Sequence, residues 1–316
     1  MDKISGVVQQ QNENKHMSRL VEAAGFISNE APYFSEPKGV WGRMAIIESN
    51  NVKLKSSELD FEFEIKFDDN LESEESEIIV YNLSTNTINQ LKAGAGITIK
   101  AGYGDDIGLI FDGYIKKVST KRQNADKVTT IKISDSARSF ENVNIPFGKN
   151  ARASDILLRL LARTKYKLYT NNKAKFADLV ERNFYYKEGV TINESLDSAI
   201  KQFSEDCGVS SFVSNGVLLT CSVRKVPNRP TFDVSENTGM IESPVPFEEE
   251  IRGEVEGEEY TDKIEGVEID MLLQHRMSVG ALIRLRSEEN AGRYYVKSGS
   301  HTFNESECVT KVKAVH

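Results

Sequence analysis

The chain has only three cysteines in 316 residues, Cys207, Cys221 and Cys308. An odd number cannot all pair, and their spacing matches no zinc-binding pattern. Cys207 closes an apolar helical face and Cys221 ends a strand-like run, where a free buried thiol is the common case. There are four histidines and one tryptophan, Trp41, too few imidazoles at ligand spacing for a zinc hydrolase. No apolar run approaches the roughly 18 residues of a membrane span. The opening MDKISGVVQQQNENKHM has no apolar stretch of signal-peptide length. The expectation is a protein made and kept in the cytoplasm unless lysis or a dedicated machine releases it. Positive charge is in the minority, with 40 Lys and Arg against 48 Asp and Glu for a net charge of −8. That balance argues against specific nucleic-acid binding, which needs a basic face to neutralise phosphates.

What is present is mostly strand pattern. Leu59, Phe61, Phe63, Ile65 and Phe67 alternate with Asp60, Glu62, Glu64 and Lys66, the period of a strand with one buried face. Ile78 to Tyr81, then Ile97, Ile99 and Ala101, then Ile110, Phe111, Tyr114, Ile115 and Val118 give three more strands. Gly113 marks a bulge or bend in the last of them. Between the first two, Ser84 caps a short helix with Ile88 and Leu91 on one face. Turns are expected at Asn50-Asn51 and at Gln123 to Asp126, the second leading into a strand from Val128 to Ile133. About seven strands between 41 and 140 suffice for a small barrel. The intervening AGYGDDIG is not a phosphate loop, because its third glycine falls one residue late and no helix follows. Asp105 and Asp106 have no evident third ligand for a metal, so a solvated turn is expected there. The acidic stretch with Glu72, Glu74, Glu75 and Glu77 reads as a solvated loop.

Helical spacing begins after residue 150. Ala153-Ser154-Asp155 opens a helix with Ile156, Leu157, Leu160 and Leu161 on one face. A weaker helix is expected from Lys173 to Arg182. Thr191 and Glu194 read as a capping box for a helix burying Leu196, Ala199, Ile200 and Phe203 and ending at Cys207-Gly208. Asn215-Gly216 then turns a hairpin. From Pro227 the chain is β-rich again, with turns expected at Gly253, Gly257 and Gly266 inside an acidic stretch. Strands are expected at 267–272, 281–285, 294–296 and 309–314. The expected fold class is therefore α+β, mainly β, with two small antiparallel β-barrel domains and an α/β insertion domain between them. The boundaries are an N-terminal arm at 1–40, the first barrel at 41–145, the insertion at 146–226 and the second barrel at 227–316. The arm carries a short amphipathic pattern at Leu20, Val21, Ala24 and Phe26, and both an arm ordered by a partner and a frayed tail fit it.

Three segments in order along the chain resemble the baseplate hub proteins of contractile phage tails and tail-like bacteriocins. The first is Tyr81-Asn82-Leu83-Ser84, followed by Ala101-Gly102-Tyr103-Gly104 and Ile110-Phe111-Asp112-Gly113. The second is Thr238 to Pro244, where Glu242 departs from the small residues usual in that family. The third is Leu272-Leu273, Val279-Gly280, Leu285, Tyr295-Val296 and His301-Thr302. The resemblance implies a structural, non-enzymatic part of a phage tail or tail-like particle baseplate, assembled in the bacterial host cytoplasm. It implies a homotrimeric ring joining a six-fold tail tube to a three-fold central spike. Implied partners are the tube or tube initiator protein, the spike, the tape measure protein and the baseplate wedge. No catalytic, cofactor or metal residues are expected.

The competing class is a cell-wall (peptidoglycan) hydrolase, with Cys308 or Cys207 served by His301 or His275. A carbohydrate-binding module would need exposed aromatics, for which Trp41 and Tyr185-Tyr186 are the candidates. The acidic excess fits a channel wall that repels DNA and equally fits solubility. The run from Glu248 to Glu259 also fits a basic partner surface.

Overall fold

The computed structural model describes residues 33–34, 42–71, 75–134, 142–164, 166–169, 173–214, 217–255 and 258–316. The expected arm over 1–40 lies outside them, apart from a two-residue strand, Tyr33–Phe34, paired in parallel with Thr231 and Phe232. Trp41, Glu72, Glu74, the Asn215-Gly216 turn and Gly257 also lie outside the described residues.

The first β unit has the seven strands its pattern predicts: β1 (Arg43–Ser49), β2 (Val52–Lys55), β3 (Phe61–Phe67), β4 (Glu75–Tyr81), β5 (Gly96–Tyr103), β6 (Asp106–Gln123) and β7 (Asp126–Ser134). They neighbour one another in the order β2-β1-β5-β6-β7-β4-β3. The alternation in β3 is real, since Phe61, Phe63 and Ile65 are buried while Glu64 and Lys66 are exposed. Helix α1 (Thr85–Gln90) is capped as expected, with the Ser84 hydroxyl accepting from the Thr87 amide at 3.1 Å. The predicted bulge at Gly113 is displaced. The register shifts instead place extra residues at Ile110 and Lys116. Gly113 answers a different need, because a Cβ there would lie 2.3 Å from the Ser134 carbonyl oxygen and 2.6 Å from the Phe111 ring.

The insertion contains β8 (Asn142–Phe147), α2 (Ala153–Leu161), α3 (Lys173–Ala177), β9 (Val190–Ser195), α4 (Leu196–Asp206), β10 (Ser210–Ser214) and β11 (Val217–Cys221). α3 stops at Ala177, five residues short of the expected Arg182. The Thr191–Glu194 capping box does not form. Both residues belong to β9, paired with Pro146 and Val143 of β8, so their backbone is extended. Ser195 caps α4 instead, accepting from the Ser198 amide at 3.4 Å.

The second β unit comprises β12 (Thr231–Val234), β13 (Val245–Val255), β14 (Glu258–Leu272), β15 (Leu282–Leu285), β16 (Gly292–Phe303) and β17 (Cys308–Val315). The turns predicted at Gly253 and Gly266 are absent. Both glycines sit inside an uninterrupted β13–β14 ribbon, in register from Val245↔Glu268 to Val255↔Glu258. Gly266 is needed for closeness, because a Cβ there would fall 2.3 Å from the Ala314 carbonyl oxygen.

Two closed barrels are not what these strands build. The outer edge of β3 pairs with β16, matching Phe63 with Phe303, Ile65 with His301 and Phe67 with Gly299. An edge engaged this way is not free to close its own unit. The strands of the two β units, with Tyr33–Phe34, therefore join into one 14-stranded sheet, and no closed barrel forms among them, while the insertion's strands pair in separate small sheets. The burial is nonetheless divided. One apolar cluster fills the first unit, another the insertion, and a third the second unit. A smaller fourth, with Phe212, Cys221, Val226, Val279 and Val315, packs the insertion against the second unit.

Candidate functional site

The β3–β16 seam is where the two β units meet, and its chemistry is apolar at the centre. Phe61, Phe63 and Phe303 stack with ring centroids 5.5 to 6.4 Å apart. Leu273, Phe303 and Cys308 come from the second half of the chain yet join the first unit's core. Burying each such side chain contributes about 1.5–3 kcal/mol, so the seam is a structural joint and not a sliding contact.

The loop after β14 locks that joint with polar groups. Arg276 holds Asp106 bidentately, at 2.9 and 2.6 Å. His275 lies in a notch over Gly108, where a Cβ would fall 1.9 Å from the imidazole. Its Nε2 is 3.9 Å from the Asp106 carboxylate. Burial, helped by the Arg276 charge, depresses the His275 pKa to about 4. His301 is buried beside it, with Nδ1 2.9 Å from the Thr310 hydroxyl. Burial and the nearby His275 push its pKa down to about 3. Tyr103 donates to the Cys308 carbonyl at 2.5 Å.

The turn residues expected to be solvated thus divide. Asp105 is exposed, and Asp106 is half-buried and committed to Arg276. Sequence reasoning did not find His275 and Arg276 as partners of this turn. They lie some 170 positions away from it, and no local pattern links them.

The proposed nucleophiles are poorly placed for chemistry. Burial raises the thiol pKa of Cys207 to about 12 and of Cys221 to about 11, and also raises that of Cys308. A nucleophilic cysteine needs the opposite shift. Tyr185 is exposed with Arg152 5.2 Å over its ring, whereas Tyr186 is buried and donates to Asp206 at 2.5 Å.

A second junction joins the insertion to the β13–β14 ribbon. Asp206 ends α4 buried, and Tyr260 of β14 reaches it at 3.5 Å. Arg182 sits 4.8 Å over the Tyr260 ring, and Phe184 packs 5.4 Å from it. Beside this junction lies a cleft of about 440 Å³ whose walls mix Asp69, Glu205, Arg182, Lys201 and Lys297. Lys297 pairs with Asp69 at 3.6 Å across it. Such a balanced lining selects no one charge of ligand.

On the solvent face of the sheet, carboxylates are matched by lysines across strands. Lys313 bridges Glu249 and Glu268 at 3.1 and 3.2 Å, Lys311 meets Asp270 at 3.2 Å, and Lys132 meets Glu77 at 3.0 Å. Exposed pairs like these are screened by water and salt, so their consequence is local neutrality more than stability. In sequence the β13–β14 ribbon carries more carboxylates than cations, and among them Glu248 pairs with Lys263 and Glu249 with Lys313.

The fold is that of phage tail proteins of known structure. The chain superposes on the tail protein of Neisseria meningitidis with a TM-score of 0.54 at 9% identity, covering 87% of this chain and 97% of the other. It matches a prophage 43 kDa tail protein from Shewanella oneidensis with a TM-score of 0.56 at 8% identity, over 87% and 98% of the two chains. It also matches an Escherichia coli component of the type VI secretion system, described as structurally similar to the T4 bacteriophage tail proteins gp27 and gp5. That likeness has a TM-score of 0.50 at 9% identity, over 85% and 76%. At these identities the likeness is one of fold. No protein-family model matches the sequence, and no curated protein matches it either.

Proposed function

We propose that this chain is a structural baseplate hub, a homotrimeric ring that joins the six-fold tail tube to the three-fold central spike of a contractile injection particle. The observation that carries the reading is the seam. Two β units with separate cores share one sheet in a chain with the fold of tail proteins. Three copies would offer six β units to a six-fold tube and three-fold surfaces to a spike. The units divide at 41–145, 146–226 and 227–316, with 1–40 as an arm. Its partners are further copies, the tube or tube initiator protein, the spike, the tape measure protein and the baseplate wedge.

The reading is non-enzymatic. Protonated buried thiols and histidines engaged in the seam give the cell-wall hydrolase alternative no activated group. Light scattering and electron microscopy of the purified chain, alone and with its tube and spike proteins, test the proposal. The expected result is a mass of three copies and a three-fold ring with six lobes toward the tube. Monomers alone in every mixture, or clearing of a peptidoglycan suspension by the chain, would overturn it.

A further inference from the structure

The net charge of −8 hides a division along the chain. Residues 146–226 carry 13 Lys and Arg against 8 Asp and Glu, so the insertion is a basic unit in an acidic protein. From Arg159 to Lys175 there are six cations and no carboxylate. The charge argument against binding phosphates, sound for the chain as a whole, does not hold for this unit.

Helix α2 gathers part of that charge into a face. Ile156, Leu157, Leu160 and Leu161 are buried in the insertion's core, while Arg152, Arg159 and Arg163 are exposed. Spacings of seven and four residues put the three arginines on one stripe, about 17 Å from end to end. None of them has an ion-pair partner among the described residues. Two are steadied by aromatic rings instead, Arg152 at 5.2 Å over Tyr185 and Arg159 at 5.3 Å over Phe147. A guanidinium placed this way keeps its fork of donors for a ligand. The carboxylates beside them in the chain are already engaged. Asp155, on the same stripe, has an interaction of its own, and Glu188 is held by Lys149 at 2.6 Å. The Tyr185 ring is 49% exposed.

We infer that the α2 arginine stripe and Tyr185 bind single-stranded nucleic acid without regard to sequence. The guanidinium groups meet successive phosphates, and the exposed tyrosine ring stacks a base. The stripe spans the rise of roughly five nucleotides at about 3.4 Å each. An anionic membrane fits less well, because helices that lie on lipid also sink large apolar side chains into it, and α2 has none exposed. An acidic protein surface would engage the arginines without a stack on Tyr185. The site is independent of the ring reading, since it needs neither a second copy nor a tail partner.

The test is fluorescence anisotropy of a labelled oligothymidine of about 15 nucleotides with the full chain over a range of salt concentrations. The parent should bind, with a logarithmic salt slope near about −2 for three phosphates on a single strand. Arg152→Gln, Arg159→Gln and Arg163→Gln together should weaken binding by about tenfold or more and flatten that slope. Replacing the same three arginines by lysine returns the charge and should return the slope, which a misfolded chain could not do. Tyr185→Ala should weaken binding by about fivefold or more with the slope kept, and should remove the preference for the single strand over a duplex of equal length. Lys117→Gln, Lys121→Gln and Arg122→Gln, on another exposed basic segment in β6, should change little. No binding by the parent would overturn the assignment. So would binding lost with the β6 set but kept by the arginine set, or tighter binding to polyglutamate or to phosphatidylserine vesicles than to the oligonucleotide.

Discussion

The ring of His301 is enclosed between Phe67, 5.1 Å away, and the Thr310 hydroxyl, and His275 and the Met277 backbone also act on it. His275 in turn faces Asp106 and Arg276. Both imidazoles are kept neutral by burial, whereas in the unfolded chain they titrate near 6.5. The folded state therefore binds fewer protons below that pH. Stability is full above about 6.5 and falls as the pH drops toward 4 and then 3, by up to about 1.4 kcal/mol per pH unit for each histidine. Asp206 and Glu205, raised by burial, work in the opposite sense, so the parent curve alone would mix the two. We predict that His301→Gln, which cannot titrate, melts with a shallower decline between pH 6.5 and 4.5 than the parent. Parallel curves across that range would show that His301 is not a source of acid sensitivity. His301 entered the sequence reading within the His301-Thr302 segment of the resemblance and as a candidate partner of Cys308 or Cys207, not as a buried neutral group. Its neighbour His275 was no more legible as one, because the Gly108 notch that receives it exists only once distant strands have met.

Among the elements, legibility followed the range of the forces. The alternation in β3 and the Ser84 cap are settled within a few residues of chain, and both were readable. The Thr191–Glu194 pattern was equally local, yet the ladder with β8 overrode it. Six register pairs outweigh one pair of capping bonds. The β13–β14 ribbon was misread as short segments because its glycines look like turns. Gly266 is instead a place where Ala314 and Phe247 come too close for a Cβ. At Tyr260 the ribbon meets the insertion through the ring, lying against Arg182 and Phe184, more than through the hydroxyl, whose contact with Asp206 is long. Tyr260→Phe should therefore change stability by less than about 0.5 kcal/mol. Tyr260→Ala should cost about 1–3 kcal/mol and speed hydrogen exchange across β13 and β14. Equal effects from the two substitutions would place the hold in the hydroxyl instead.

For the whole molecule, three apolar clusters invite an expectation of three independently melting bodies, but the joints between them argue otherwise. Leu273, Phe303 and Cys308, all from the second half of the chain, belong to the first core, and the fourth cluster ties the insertion to Val279 and Val315. Free energy lost in one body exposes apolar surface in the next, so the parent should unfold in a single calorimetric transition. The point to break is the Gly108 notch. A side chain there collides with His275 and moves the loop that carries Arg276 away from Asp106. Overpacking of this kind costs about 1–3 kcal/mol. Gly108→Val should thus split the transition in two, with the first β unit parting from the remainder. Gly108→Val combined with His275→Ala reopens the space and should restore one transition, which general damage to β6 would not allow. A single, unshifted peak for Gly108→Val would mean that the two units cohere through the phenylalanine stack alone.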